Sequence, residues 1–401
     1  MNKSFKLTIN ACFIGYIIQA IVNNFVPLLF LTFQSSYGIP LSRITLLITV
    51  NFGIQLAVDL ASVAFVDRIG YRASMVIAHV MSALGLVSLA FLPQLLPDAY
   101  AGLLISVVCY AVGGGLLEVL VSPVMESCPT AHKEKAMSML HSFYCWGQMG
   151  VVLLSTLFFR VFGIDSWRIL ALIWALVPVA NGILFTRVPI APLIPEGDRG
   201  MPLRELLRLR EFWLLMLMMV CAGASELSVS QWASTFAETG LGVSKTLGDL
   251  MGPMFFALLM GSTRAFYGKY GDRIDLDRFM TVSALLCVAA YLCIALVPVP
   301  WIGLLGCGLC GLSVGIMWPG TFSKATASLK RGGTALFALL ALGGDIGCSV
   351  GPTLVGFVSE AFGEDLRRGI LAGTLFPVLM GIGLILLRRL RRPDQKMPRK
   401  A

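Results

Sequence analysis

Glu118 is the residue in this chain best placed to do chemistry. It sits in Gly113-Gly114-Gly115-Leu116-Leu117-Glu118-Val119-Leu120-Val121-Ser122-Pro123, and from Tyr110 to Val121 no other side chain carries a charge. If this run crosses a bilayer, a carboxylate at depth costs about 2.5–3.5 kcal/mol and calls for a partner, a proton or a water-filled cavity. An acid so placed is suited to taking up and releasing a proton. Three glycines one turn ahead of it let another helix or a ligand come close to the backbone. The competing reading is a structural carboxylate satisfied by neighbouring helices.

Two further groups surround that acid in the sequence. Gln19, Asn23, Asn24, Asn51, Gln55, His141 and Gln148 supply neutral hydrogen-bonding groups, and Tyr16, Tyr144, Trp146, Trp232 and Trp318 supply aromatic faces. Binding cavities for small polar solutes combine a few directed polar groups with flat apolar walls, a pairing that suits sugars. Amides that bond between helices, at about 0.6–2 kcal/mol each, and aromatic anchors at the membrane interface are the alternative. The second group is Asp59, Glu226, Arg264 and Asp345. A guanidinium inside a membrane helix needs a carboxylate, and any of the three acids could supply it, as a structural pair or a gating switch. Lys324 and Glu360 lie near span ends and can snorkel.

The elements that must hold these residues follow from composition. The chain has 401 residues, of which 57% are hydrophobic and 13% charged, and a mean hydropathy of +0.82. A soluble domain carries about 25% charged residues, so the chain is expected to be an all-α integral membrane protein. Twelve apolar runs are long enough to span: roughly 7–33, 41–65, 73–92, 98–125, 137–160, 166–187, 212–237, 247–269, 279–297, 300–323, 333–359 and 367–388. No short apolar segment with a small-residue cleavage site opens the chain, so the first span is expected to be retained. The longest polar break, 188–211, is rich in proline and glycine. It divides a six-helix bundle over 1–187 from a second over 212–401, which ends in a basic tail.

Charge placement sets the expected orientation. With both termini in the cytoplasm, inner segments hold 24 Lys and Arg against six in outer loops, and Arg264 lies within a span. Positive residues stay inside, so the protein is expected in a cytoplasmic membrane. The net charge of +9 then calls for an anionic inner leaflet rather than nucleic acid. The ten cysteines lie mostly in apolar runs and act there as small hydrophobes, Cys307-Gly-Leu-Cys310 included. His79, His132 and His141 lack metal spacing, no Gly-x-x-x-x-Gly-Lys-Ser/Thr loop appears, and no nucleophile–base pair stands out. The reading is a non-enzyme without cofactor or metal, acting as a monomer among membrane lipids.

The halves also repeat. Asp67-Arg68-Ile69 recurs as Asp272-Arg273-Ile274, an offset of 205 that carries Asp59 onto Arg264. Gly115 and Pro123 match Gly311 and Pro319 at an offset of 196. Two related bundles around a midplane site are a transporter architecture.

Asp67-Arg68-Ile69-Gly70-Tyr71-Arg72 between the second and third spans resembles the Gly-x-x-x-Asp-Arg-x-Gly-Arg-Arg loop of the major facilitator superfamily, with Val63 for the leading glycine and Tyr71 for the first basic residue. The resemblance implies that Asp67, Arg68 and Arg72 brace helices on the cytoplasmic side. Gly113–Pro123, Leu140–Gly147, Trp318-Pro319-Gly320-Thr321-Phe322-Ser323, Gly343-Gly344 and Gly356–Glu360 are similar to the fucose–proton symporter family. That implies proton-coupled symport of a small polar solute, a sugar, with Glu118 as the acid that carries the proton. Asn23 stands where that family has an aspartate, and His141 and Tyr144 where it has sugar-binding amides. Sodium is the alternative coupling ion. A proton-coupled exporter of drugs or metabolites, or a receptor or scaffold on a carrier fold, are the alternative functions.

Overall fold

The computed structural model describes residues 3–39, 41–193, 201–233, 250–363 and 365–390. Among them every regular element is helical, so the all-α expectation holds. Among the described residues, eleven segments are long and apolar enough to cross a membrane. A π-turn at Leu250–Met254 followed by a helix at Phe255–Tyr270 stands where the remaining span of the expected twelve falls. The start of that span, the end of the seventh, residues 194–200 of the linker and the tail from 391 onward lie outside the described residues.

The chain forms two compact units, Met1–Ala136 with Phe143–Asp198 and Gly333–Leu339, and Met137–Ser142 with Arg199–Gly332 and Leu340–Ala401. The first contains α1 (Lys3–Asn24), α2 (Phe30–Tyr37), α3 (Leu41–Ile69), α4 (Tyr71–Leu95), α5 (Ala99–Ser127), most of α6 (Lys133–Phe162) and α7 (Trp167–Arg187). The expected first span is thus two helices. Pro27 has no N–H to return to the carbonyl of Asn23, and the chain tightens into a 3-10 turn over Val26–Leu29 before α2 resumes. Asp98 caps α5 by accepting from the Tyr100 amide at 2.9 Å.

The glycines of α5 set its depth in the unit. A Cβ at Gly113 would lie 2.6 Å from the Ser82 amide nitrogen of α4, and one at Gly115 3.1 Å from Gln55 Cα of α3. Only glycine allows both helices this close. The core gathers Ile21, Val22, Phe25, Leu86, Leu103, Val107 and Tyr110. Leu84, Leu154, Leu157, Leu176 and Ile183 stay exposed, as lipid-facing side chains do.

The second unit contains α8 (Arg210–Ser230), α9 (Phe255–Tyr270), α10 (Leu276–Leu296), α11 (Pro300–Val314), α12 (Met317–Ser328), most of α13 (Gly333–Ala361), α14 (Leu366–Gly373) and α15 (Leu375–Leu390). Asp275 caps α10 through the Arg278 amide at 2.8 Å. The expected tenth span breaks at Gly315–Ile316 and the twelfth at Thr374.

Candidate functional site

In the first unit, α1, α3 and α5 bring six of the expected residues together, Tyr16, Gln19, Asn23, Asn51, Gln55 and Glu118. Tyr16, Gln19 and Asn23 occupy one face of α1. Tyr16 Oη lies 2.8 Å from Ser122 Oγ. One turn on, Gln19 Nε2 donates to Glu118 Oε2 at 2.9 Å. One further turn on, Asn23 Oδ1 accepts from both Asn51 Nδ2, at 3.2 Å, and Gln55 Nε2, at 2.8 Å. Glu118 and Ser122 are four apart on α5, as are Asn51 and Gln55 on α3, so each helix contributes one edge of a polar ladder through an apolar core.

Chemically the ladder is neutral apart from Glu118. An amide N–H can donate to a carboxylate and also to the carbonyl oxygen of a protonated acid, so the Gln19 contact survives a change of protonation at Glu118. Asn51 Oδ1 is buried and receives no hydrogen bond within the described residues, an acceptor left over in the cluster. Tyr144, Trp146 and Gln148 are half-buried on α6. Asp59 is fully buried on α3, two turns beyond Asn51. Asn181, unremarked in the sequence, ties its unit together from α7: Nδ2 bonds to the Ala11 carbonyl at 3.0 Å and to His79 Nε2 at 2.8 Å, while His79 Nδ1 faces the Met75 carbonyl.

The second unit holds the charged pair. Arg264 Nη2 donates to Glu226 Oε2 at 3.0 Å, one of the three acids the sequence offers it. Arg264 Nε donates to the Gly315 carbonyl at 2.9 Å, and Nη1 reaches the His141 carbonyl at 3.4 Å. The carbonyl of Gly315 is free because the residue four places on is Pro319, which has no N–H. His141 belongs to the 137–142 segment of this unit, and its ring stacks on Phe322 with centroids 5.9 Å apart. Trp318 is half-buried and lies against Gly344. Trp232 Nε1 donates to the Pro352 carbonyl at 3.3 Å, and Asp345 is half-buried on α13. Lys324, 3% exposed, pairs with Asp277, which also lies 3.7 Å from Arg388 Nε.

The repeat is real but shifts in register. Buried and half-buried positions over 111–126 recur over 311–326, an offset of 200. Gly115 packs on Gln55 and Val58, and Gly315 on Met260 and Thr263, each partner 205 residues on. The letter match at 196 is therefore corrected: Trp318, not Val314, stands where Glu118 stands in the first half.

Comparison with known proteins returns a family and a fold. The family model described as Major Facilitator Superfamily matches residues 12–352. The chain belongs to the Major Facilitator Superfamily. No curated protein matches the sequence. Among solved structures, the E. coli fucose:proton symporter FucP is similar at a TM-score of 0.79 and 16% identity, covering 96% of this chain and 99% of that one. The proton:xylose symporter XylE, solved with 6-bromo-6-deoxy-D-glucose, is similar at a TM-score of 0.80 and 13% identity, covering 96% and 95%. At such identities the likeness is one of fold.

The loop that resembles the superfamily's signature, Asp67–Arg72, is held by bonds within the first unit. Thr334, in the short part of α13 that belongs to the first unit, donates through Oγ1 to Asp67 at 2.5 Å. That proton being committed, the Tyr71 hydroxyl donates to Thr334 Oγ1. Tyr71 thus holds by a hydroxyl where the superfamily pattern has a cation. Arg72 Nη1 donates to the carbonyls of Phe185 and Thr186 at 2.8 and 2.9 Å and so satisfies the last turn of α7. Arg68 is exposed. The role of Thr334 was not signalled in the sequence, where an isolated threonine carries no pattern.

Proposed function

We propose that this superfamily member is a secondary active transporter that moves a small neutral polar solute, a sugar, by proton-coupled symport with alternating access. The observation that carries the reading is the bond between Gln19 Nε2 and Glu118 Oε2 at 2.9 Å, inside an otherwise neutral amide ladder. A carboxylate held by an amide can exchange a proton without losing its partner. The adjoining amides of Asn23, Asn51 and Gln55 offer directed donors and acceptors to hydroxyl groups, and the named sugar substrates of FucP and XylE, which share the fold, support the solute class. The break over 188–211 lets the two six-helix bundles, 1–187 and 212–401, move as bodies, with termini on the cytoplasmic side of the membrane.

Glu118→Gln tests the reading. The variant keeps the shape and the contact with Gln19 but stays neutral, like the protonated acid. In proteoliposomes it should still exchange solute between two pools, since exchange runs on the loaded, protonated form. It should lose uphill accumulation driven by a proton gradient, because no proton can leave to complete the cycle. Full proton-driven accumulation by the variant would make Glu118 a structural carboxylate. Accumulation by the native protein driven by sodium alone would replace the coupling ion.

A further inference from the structure

The polar break between the two bundles does more than connect them at its second end. The Met201 N–H donates to the Arg331 carbonyl at 2.7 Å, and after Pro202 a short helix runs over Leu203–Leu206, extended by a bond from the Leu207 N–H to the Leu203 carbonyl at 3.0 Å. Leu206 is fully buried and roots this turn in the second unit. Leu203 and Leu207 instead stay 41% and 38% exposed. At 3.6 residues per turn those two share one side of the helix, Arg204 and Arg208 form the stripe beside it, and Glu205 falls on the opposite side. Both arginines are exposed. A turn with leucines outward, cations along their flank and its acid turned away has the side-chain order of a segment lying in a membrane interface.

Trp213 fixes the depth at which this surface lies. It is 55% exposed in the first turn of α8, where a membrane span begins, and its Nε1 donates to the Leu207 carbonyl at 2.8 Å. Trp213 and Leu217, four apart and both exposed, open the lipid-facing side of α8. Leu207 is therefore tied to the edge of that side, at the level where indoles gather between hydrocarbon and headgroups. Charge then identifies the headgroup. Arg210 is exposed where the turn joins α8, and Lys330 and Arg331 are exposed on the loop to which Met201 is bonded. Over 201–211 and 329–332 there are five cations against two acids, Glu205 and Glu211.

We propose that 201–213 is a binding site for an anionic phospholipid of the leaflet at which α8 begins. Leu203, Leu207 and the Trp213 ring lie against the upper acyl chains. Arg204 and Arg208 run their stems along that apolar surface and hold the phosphate with their guanidinium groups. A bound lipid fixes the second unit's end of the break and, through Met201 and Arg331, the loop that leads into α13. The proposal does not depend on which solute is carried.

The test uses the purified full-length protein in phosphatidylcholine vesicles that contain brominated phosphatidylglycerol or brominated phosphatidylcholine at equal mole fraction. A bimane label is placed at Leu203→Cys, at Leu207→Cys and, as a lipid-facing reference on α7, at Leu176→Cys. Native protein treated with the same reagent gives the background from its own cysteines. Both linker labels should be quenched, and phosphatidylglycerol should be preferred about 5- to 30-fold in relative binding constant, the range for one to two arginines near a phosphate surface. The reference label should show a preference below about twofold. Arg204→Gln combined with Arg208→Gln should bring the linker preference below about twofold, while quenching by brominated phosphatidylcholine persists. Thermal unfolding shows which variants are folded, and either linker cysteine carries the comparison if the other is not. Absence of quenching at the linker labels would place the segment in water or against a protein partner and overturn the proposal. Equal quenching by the two lipids would mark an interfacial turn without a headgroup site and overturn it as well. So would a preference that survives the loss of both arginines.

Discussion

Arg264→Ala removes the ion pair at 3.0 Å and the bond to the Gly315 carbonyl at 2.9 Å in one step. Breaking a buried pair from one side costs about 3–5 kcal/mol, since the remaining charge stays in a poorly solvated place. Losing the donor to Gly315 leaves a carbonyl without a partner, at about 1–3 kcal/mol. The two losses share relaxation of the same helix break and do not simply add. Glu226→Ala should cost a similar 3–5 kcal/mol, now with the cation left behind. The double variant should be less destabilised than the sum of the singles by about 2–3 kcal/mol. Pro319→Ala isolates the second term, because it supplies a backbone N–H four residues after Gly315. In that background Arg264→Ala should be milder by about 1 kcal/mol. The assay is reversible unfolding in graded denaturing detergent, followed by tryptophan fluorescence and circular dichroism. Singles that add to the double within about 0.5 kcal/mol would refute the pairing as an energetic unit.

Further outcomes follow from other parts of the molecule. Single cysteines introduced at Ser36 and Asp165 should react with an impermeant maleimide on intact cells, and those at Ala131 and Lys330 only after permeabilisation; the reverse pattern would invert the Lys/Arg orientation. Gly113→Val should destabilise by about 1–3 kcal/mol or more, because its Cβ would meet the backbone of Ser82 and Ala78 at 2.6 and 2.7 Å. Gly38→Ala has open space around it and should lose only the about 1–2 kcal/mol of its left-handed φ of 64°; thermal shifts separate the two. Cys128, just past the end of α5, is buried, which pushes its thiol up to about 11 against a smaller opposite pull from Lys133. Alkylation of a variant retaining only this cysteine should therefore be slow at pH 7.5, with roughly one thiol in 3,000 ionised, and should quicken about tenfold per pH unit up to that value. Fast labelling at neutral pH would show the thiol to be open.

Span lengths and their number were legible because they depend on runs of apolar residues and little else. The break at Pro27 was not, since the apolar run continues through it and the missing N–H acts only on the carbonyl of Asn23. The amides were legible as a class. Their partners were not, because Gln19 and Glu118 are 99 residues apart and meet only through the rotation of α1 against α5. Arg264 demands a carboxylate, yet that Glu226 supplies one depends on how α8 and α9 are placed in the unit, which 38 residues of sequence separation do not reveal. In the sequence Pro319 stands out only as a repeat marker. Its physical effect, freeing one carbonyl for Arg264, depends on a helix 51 residues away.

The corrected register changes how the halves are compared. Matching glycine to glycine and proline to proline aligned Glu118 with Val314, which has no chemistry to offer. Matching burial aligns it with Trp318, and the same step puts Gly115 and Gly315 on partners that differ by 205 residues, the offset of the two Asp-Arg-Ile loops. Burial is the better guide because a helix in a bundle is held by which face packs, while a proline can move by a turn without turning that face. Once aligned, the repeated position carries a protonatable acid in one half and a flat indole in the other. Glu118 is met by the Gln19 amide of α1, and Trp318 lies against Gly344 of α13. Two copies of one fold have thus diverged at a single equivalent position, from a protonatable acid to a flat indole.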